Sequence, residues 1–275
     1  MKSEKIKTVY YGNECEDDFA GTNINSKTVD KNFKYIHKNV IWRALSFIAY
    51  YFIAYPLVWL YERVILRVKF VNKKALKAYK KQSSFYYGNH TGFIDAFTPN
   101  IMSVSRRNKI IVNADSVSIK GLKNIVQMLG ALPVPTEMNG FKNFVRAIDY
   151  YHKKCNITIY PEAHIWPYFT GVRNFSDASF NYPIKYGAPT FAFFTAYTKP
   201  KGFLSFLRKA NVTVYISDPI FCDEGLTGIN ARKNLRDKVY NFMVEKSKLS
   251  TYEVIRYVKV DGDNSDKKVE YEEAI

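Results

Sequence analysis

From Ala44 to Tyr61 the chain runs for eighteen residues without a charge, ALSFIAYYFIAYPLVWLY, between Lys38 and Arg43 on one side and Glu62, Arg63 and Arg67 on the other. That length stands at the lower limit for a helix that crosses a bilayer. Its four tyrosines and the mid-segment Pro56 predict instead two shorter helices that meet at a bend and lie in the membrane interface, where amphipathic rings are favoured. A true span and a buried hairpin of a soluble core are the other readings of the same run.

Beyond Phe70, apolar runs of strand length alternate with stretches of helical spacing. A helix-like segment, Lys73 to Lys81, precedes a strand at Ser84 to Tyr87, and a helix from Phe93 to Ser103 precedes a strand at Lys109 to Asn113. Leu122, Ile125, Val126 and Leu129 share one side of a helix over Ile119 to Leu129, which Gly130 stops as a C-terminal cap. A strand at Ala131 to Val134, a helix at Phe141 to Tyr151 and a strand at Asn156 to Tyr160 follow. Strands at Pro189 to Ala196 and Val212 to Ile216 and an amphipathic helix over Ala231 to Lys248 complete the pattern. This alternation predicts an α/β fold: a mostly parallel central sheet flanked by helices, with an N-terminal membrane-docking helical segment. The divisions are a flexible polar arm at 1–32, a membrane-associated helical segment at 33–68, one large domain at 69–250 and a charged tail at 251–275 that is expected to fray.

Composition narrows the partner. The 41 Lys and Arg against 25 Asp and Glu leave a formal charge of +16, which attracts an anionic surface, either lipid or nucleic acid. Aromatic residues make up 16% of the chain and no zinc finger, RNP sequence or basic zipper is present, so an anionic membrane is favoured over nucleic acid. Aromatic residues beside Lys keep single-strand binding as the minor alternative. Cys15, Cys155 and Cys222 are far apart and odd in number, which indicates reduced thiols and no disulfide framework or metal knuckle. Met1 to Thr8 is polar and charged, without the apolar core of a secretory signal, so the body is expected on the cytoplasmic face of a membrane.

The candidate chemistry lies in Tyr86-Tyr87-Gly88-Asn89-His90-Thr91-Gly92-Phe93-Ile94-Asp95. Gly88-Asn89 is a turn signal between a strand and a helix. It puts His90 on the entering loop and Asp95 about one helical turn further in, where a carboxylate can hold one imidazole N–H and leave the other nitrogen to take a proton. Backbone N–H groups from Thr91 to Phe93 would then start a helix and offer an oxyanion site. A second constellation, Pro161-Glu162-Ala163-His164-Ile165-Trp166-Pro167, follows the strand ending at Tyr160, and the carboxyl ends of parallel strands are where ligands bind. His90, Asp95, Glu162 and His164 have the residue types of a metal site but not its usual ligand spacing, so neither a metal nor another cofactor is expected.

In order, Asn89-His90 with Asp95, Gly130-Ala131-Leu132-Pro133-Val134, Tyr160-Pro161-Glu162 and Ala188-Pro189-Thr190 resemble the four sequence blocks of the glycerolipid acyltransferases, which include the bacterial lysophosphatidic acid acyltransferases. The resemblance covers residues 70 to 220, and the apolar segment before it is similar to that family's membrane-docking helices. It implies an acyltransferase domain at 69–250 in which His90 is the general base, Asp95 its orienting carboxylate, Glu162 a substrate-positioning residue and Pro189 the proline of the fourth block. The implied activity is transfer of a fatty acyl group from acyl-CoA or acyl-carrier protein to a lysolipid hydroxyl, that of 1-acylglycerol-3-phosphate above all, in phospholipid synthesis.

The chain departs from the pattern at the phosphate-binding arginines. Val134 is followed by Pro135-Thr136-Glu137, and Glu162 by Ala163-His164-Ile165. Arg173, Lys142 or Arg146 would have to supply the missing cation, with His164 and Arg173 the substrate-binding candidates beside Glu162; an acceptor without a phosphate monoester is the other reading. A second membrane contact is expected at Lys199 to Lys209, where Phe and Leu sit among basic residues. Two rival functions share these features: a non-catalytic lipid-binding protein, and a hydrolase, which would need a nucleophile that no Gly-x-Ser-x-Gly elbow supplies.

Overall fold

The computed structural model describes residues 5–19, 27–103, 106–119, 121–202 and 205–260, together with the backbone of 269–273. Parts of the expected arm and tail, and Phe203 and Leu204 of the expected second membrane contact, lie outside the described residues. The strands are β1 Lys5–Tyr11, β2 Lys69–Val71, β3 Phe85–Gly88, β4 Asn108–Val112, β5 Ala131–Pro133, β6 Asn156–Ile159, β7 Thr190–Thr198, β8 Asn211–Ile216, β9 Ile255–Lys259 and β10 Val269–Glu273. Seven of them form a sheet in the order β2-β8-β7-β3-β6-β4-β5. Only β7 and β8 are antiparallel; the other neighbours run parallel. The mostly parallel sheet expected from the alternation of strand and helix is thus the one observed.

The central strands are buried on both faces, which is why they read as continuous apolar runs. Alternate residues divide the core in two. Phe85, Tyr87, Ile157, Ile159 and Phe194 meet Phe144 and Ile148 of the Phe141–His152 helix and Leu235 and Val239 of the Gly228–Ser247 helix. Tyr86, Ile110, Phe191, Phe193 and Val214 face the other way, with Met102 of the short helix Thr98–Met102. Gly130 ends the helix Lys123–Leu129 with φ +124°, and a Cβ there would lie 2.7 Å from the Asn108 carbonyl oxygen, so only glycine turns the chain into β5.

The apolar run is one unbroken helix, Val40–Ile65, not two helices meeting at a bend. Asn39 caps it, its side chain accepting from the Trp42 N–H. The segments Ala49–Ala54 and Tyr61–Ile65 are wound as wider π turns, and the first lies just ahead of Pro56, leaving room for its ring where a regular turn would clash. The inward-facing residues Ser46, Tyr50, Ala54, Val58 and Glu62 recur every four positions. A regular α-helix would carry that line steadily round its axis; the π turns hold more residues each and keep it on one side. Ser46 Oγ donates to the Met128 carbonyl at 2.8 Å and the Tyr50 hydroxyl to Asn100 Oδ1 at 2.6 Å. The opposite side is open, with Ile41 70% and Phe52 69% exposed, as suits a segment that docks on a membrane.

The expected arm and tail form structure together. β1 pairs parallel with β9 and antiparallel with β10 in a second, three-stranded sheet. Tyr257 of β9 stacks on Trp166 with centroids 5.0 Å apart, and Tyr11 of β1 meets the same ring edge-on at 4.6 Å. Two further elements carried no sequence signal strong enough to read: the three-residue strand β2 and the helix Asn181–Tyr186.

Candidate active site

β3 is flanked by β6 and β7, so the loops leaving β3 and β6 emerge side by side at the carboxyl edge of the sheet, the usual place for a ligand in such a fold. Gly88 ends β3 under a steric demand rather than a turn: a Cβ there would fall 2.1 Å from Phe193 Cζ. Asn89, wholly buried, extends the sheet with its side chain, accepting from the Thr195 N–H at 2.8 Å and donating to the Thr195 carbonyl at 3.2 Å. The backbone leaving β3 is therefore fixed before it reaches His90.

His90 Nδ1 lies 3.1 Å from Asp95 Oδ2. That same oxygen accepts from the backbone N–H of Thr91 at 2.6 Å and of Gly92 at 2.9 Å. Three donors converge on one carboxylate oxygen that is almost fully buried, so Nδ1 carries the proton and Nε2 is left as the basic nitrogen. Among the described residues nothing is hydrogen-bonded to Nε2, and the imidazole is 15% exposed. Tyr160, at the end of β6, stacks on the imidazole with centroids 4.5 Å apart and donates its hydroxyl to the Asp95 carbonyl. The expected oxyanion donors are thus partly spent: the Thr91 and Gly92 N–H groups serve Asp95, because the residues between the pair form a tight turn around the carboxylate rather than an open helix start. The helix expected from Phe93 is a single 3-10 turn, Phe93–Ala96, followed by Thr98–Met102, with Pro99 in its first turn.

The loop after β6 is stitched to this turn. The His90 N–H donates to Glu162 Oε2 at 3.2 Å, the Trp166 N–H to the His90 carbonyl at 3.1 Å and the Tyr168 N–H to the Thr91 carbonyl at 2.9 Å. Glu162 and Arg173 form a buried ion pair at 3.0 Å, with side chains 0% and 1% exposed. The Arg173 backbone N–H donates to Glu162 Oε1 at 3.1 Å, and its guanidinium lies over the Trp166 ring, 4.8 Å from the centroid. Burial pushes the Glu162 pKa up, against the pull of the Arg173 guanidinium and of two backbone N–H groups. Ala163 and Tyr168 hold positive φ, 65° and 59°, strain that this network sustains. His164 turns toward the arm, with Nδ1 3.4 Å from Asp18 Oδ2. Lys142 and Arg146 stand exposed on the Phe141–His152 helix.

The structure therefore brings His90, Asp95 and Glu162 together, encloses Arg173 behind Glu162 and leaves His164 at the rim. Among the described residues no group of three His, Cys, Asp or Glu side chains gathers as metal ligands would. Sequence reasoning missed Tyr160 and Trp166, whose roles come from stacking, and the Thr91 and Gly92 N–H groups as partners of Asp95; a Gly two places after the His was the available signal for so tight a turn. Between the long helix and the segment after Asp95 lies a small pocket, with little more room than a water molecule needs, lined by Tyr50, Ala54, Val58, Phe97, Asn100 and Leu129.

No family model matches the chain, and no curated protein matches it in sequence. Among solved structures its fold is similar to that of the 1-acyl-sn-glycerophosphate (LPA) acyltransferase, PlsC, from Thermotoga maritima, with a TM-score of 0.50 over 77% of this chain and 96% of that one at 14% identity. At that identity the likeness is one of fold.

Proposed function

We propose that this chain is an O-acyltransferase that moves a fatty acyl group from a thioester carrier, acyl-CoA or acyl-carrier protein, to a lysolipid hydroxyl at an anionic membrane surface on the cytoplasmic face, in phospholipid synthesis. The observation that carries the reading is the oriented pair: His90 held through Nδ1 by a buried carboxylate, with its imidazole 15% exposed and Nε2 without a hydrogen bond among the described residues. The shared fold with an LPA acyltransferase supports it, as does the open apolar face of the Val40–Ile65 helix.

In this mechanism His90 Nε2 removes the proton of the acceptor hydroxyl as its oxygen attacks the thioester carbonyl. The imidazolium that forms faces Asp95, and the tetrahedral intermediate collapses by breaking the carbon–sulfur bond. The proton on His90 then passes to the departing thiolate. No covalent acyl-enzyme is required. Glu162 and Arg173 shape the acceptor side of the site, and His164, 25% exposed, is the member of that trio able to touch an acceptor.

The leading acceptor is 1-acylglycerol-3-phosphate. Enclosure of the Arg173 guanidinium favours a second reading, a lipid acceptor without a phosphate monoester. The test is product formation in liposomes from acyl-CoA or acyl-carrier protein over a panel of lysolipids, followed by mass spectrometry beside His90→Ala. A His90-dependent product on lysophosphatidic acid supports the first acceptor, and a product only on another lysolipid the second. Binding without turnover would replace both with a lipid-binding role, and free fatty acid alone with hydrolysis.

A further inference from the structure

The inward line of the Val40–Ile65 helix ends at Glu62, a carboxyl that the mechanism above does not use. None of Glu62 is exposed. Its Oε1 lies 2.9 Å from Thr98 Oγ1, and among the described residues Oε2 has no hydrogen-bond partner. A half-satisfied buried carboxyl is costly where an apolar side chain would pack without penalty, so packing alone does not account for it.

Thr98 leads back to the dyad. Its hydroxyl oxygen also lies 3.2 Å from the Ile94 carbonyl, in the turn whose next residue is Asp95. A hydroxyl has one proton to donate, and here two acceptors compete for it. When Glu62 is protonated, it donates to Thr98 Oγ1, and Thr98 donates to Ile94, tying the turn to the helix. Ionised Glu62 instead takes the Thr98 proton, and the tie to Ile94 is released. The charged and titratable groups that face Glu62 are Asp95, which opposes its ionisation, and Lys73 and Arg63, which favour it; Tyr160 senses the same charge. Lys73 is itself anchored, its Nζ donating to the Ile101 carbonyl at 2.7 Å. Burial is the largest influence, and it pushes the Glu62 pKa up to about 7.

We infer that Glu62 is a positioning residue for His90 and Asp95: acting through Thr98, it makes the geometry of the dyad depend on the seating of the apolar helix and on one proton. The inference rests on the transferase reading for its kinetic arm only. In vesicles of equal parts phosphatidylcholine and phosphatidylglycerol, the ratio of the wild-type kcat to that of Glu62→Gln falls as pH rises through about 7, because the titration of His90 is common to both proteins. Glu62→Gln, whose amide donates to Thr98 at every pH, lacks that ionisation. Thr98→Val lowers kcat about fivefold, the size of one hydrogen bond, with KM unmoved, and adding Glu62→Gln to it changes nothing further.

Amide exchange of the peptide spanning 91–100, corrected for intrinsic rates, reads the tie without any turnover. Its protection falls through the same pH range in the wild type and stays constant in Glu62→Gln. That result would uphold the inference even if no His90-dependent product were found, an outcome that removes the transferase reading alone. Product formation whose pH profile is the same in the wild type and Glu62→Gln, with exchange also unchanged, would overturn it.

Discussion

Replacing Asp95 with Asn removes a charge and keeps the shape. In the wild type the carboxylate faces the imidazolium that forms during transfer, across 3.1 Å and almost fully out of solvent. At an effective dielectric of about 20, two unit charges at that separation attract by about 5 kcal/mol. An amide oxygen in the same place still accepts from Nδ1–H and recovers about 1–2 kcal/mol of that. The three converging donors demand an oxygen there, so the Asn carbonyl takes the position of Oδ2 and the imidazole tautomer is preserved. The remaining deficit of about 3–4 kcal/mol corresponds to a fall in kcat of about 10²–10³-fold. The KM for both substrates should be little altered, because neither touches Asp95. The assay is steady-state transfer in liposomes with the donor and acceptor pair that give His90-dependent product, with the thermal midpoint measured alongside. A kcat within about threefold of wild type in a folded Asp95→Asn protein would refute the charge argument, since an uncharged hydrogen bond would then suffice.

Four further outcomes follow from the same geometry. Gly88→Ala drives a methyl group into the Phe193 ring and should cost about 1–3 kcal/mol of stability in urea unfolding, whereas Gly12→Ala, with open space around it, should not. Arg173→Ala leaves Glu162 buried without its cation and should cost about 3–5 kcal/mol, part of which Glu162→Gln restores in the double variant. Glu62 is raised from 4.5 to about 7, so the fold favours its neutral form: that contribution is complete below 4.5 and lost as pH rises through about 7. It amounts to at most about 3 kcal/mol, seen as a decline in thermal midpoint from pH 5 to 8 that Glu62→Gln does not share. On the open face, Phe52→Glu should weaken sedimentation with anionic liposomes, and charge reversal of Lys199 and Lys201 should weaken it by about 1 kcal/mol per residue at low salt; binding unchanged in the second case removes that loop from the membrane contact.

Local periodicity and adjacency carried much of the structure. β3, β4 and β6 are short apolar runs bounded by turn residues, and each was legible within a residue or two, as was Gly130 at the end of its helix. The offset from His90 to Asp95 was legible too, because both lie in one short turn. Elsewhere the signal was present but ambiguous: in a run where nearly every residue is apolar, the inward line from Ser46 to Glu62 does not stand out, and Glu62 reads as a flanking charge instead of the buried end of that line. Pro56 suggested a bend because the π turns that accommodate it have no sequence mark.

What the chain determined by itself, then, is the α/β alternation, the apolar helix and the spacing of the dyad, all set by interactions between near neighbours. Only the tertiary structure decided that β1 and β9, almost 250 positions apart, pair into a sheet against Trp166. It alone decided that Arg173 is enclosed with Glu162 as an ion pair, and that Thr98 stands between Glu62 and the Asp95 turn. Such contacts depend on which faces meet after the sheet has closed, and a pairing between distant residues leaves no period in the sequence.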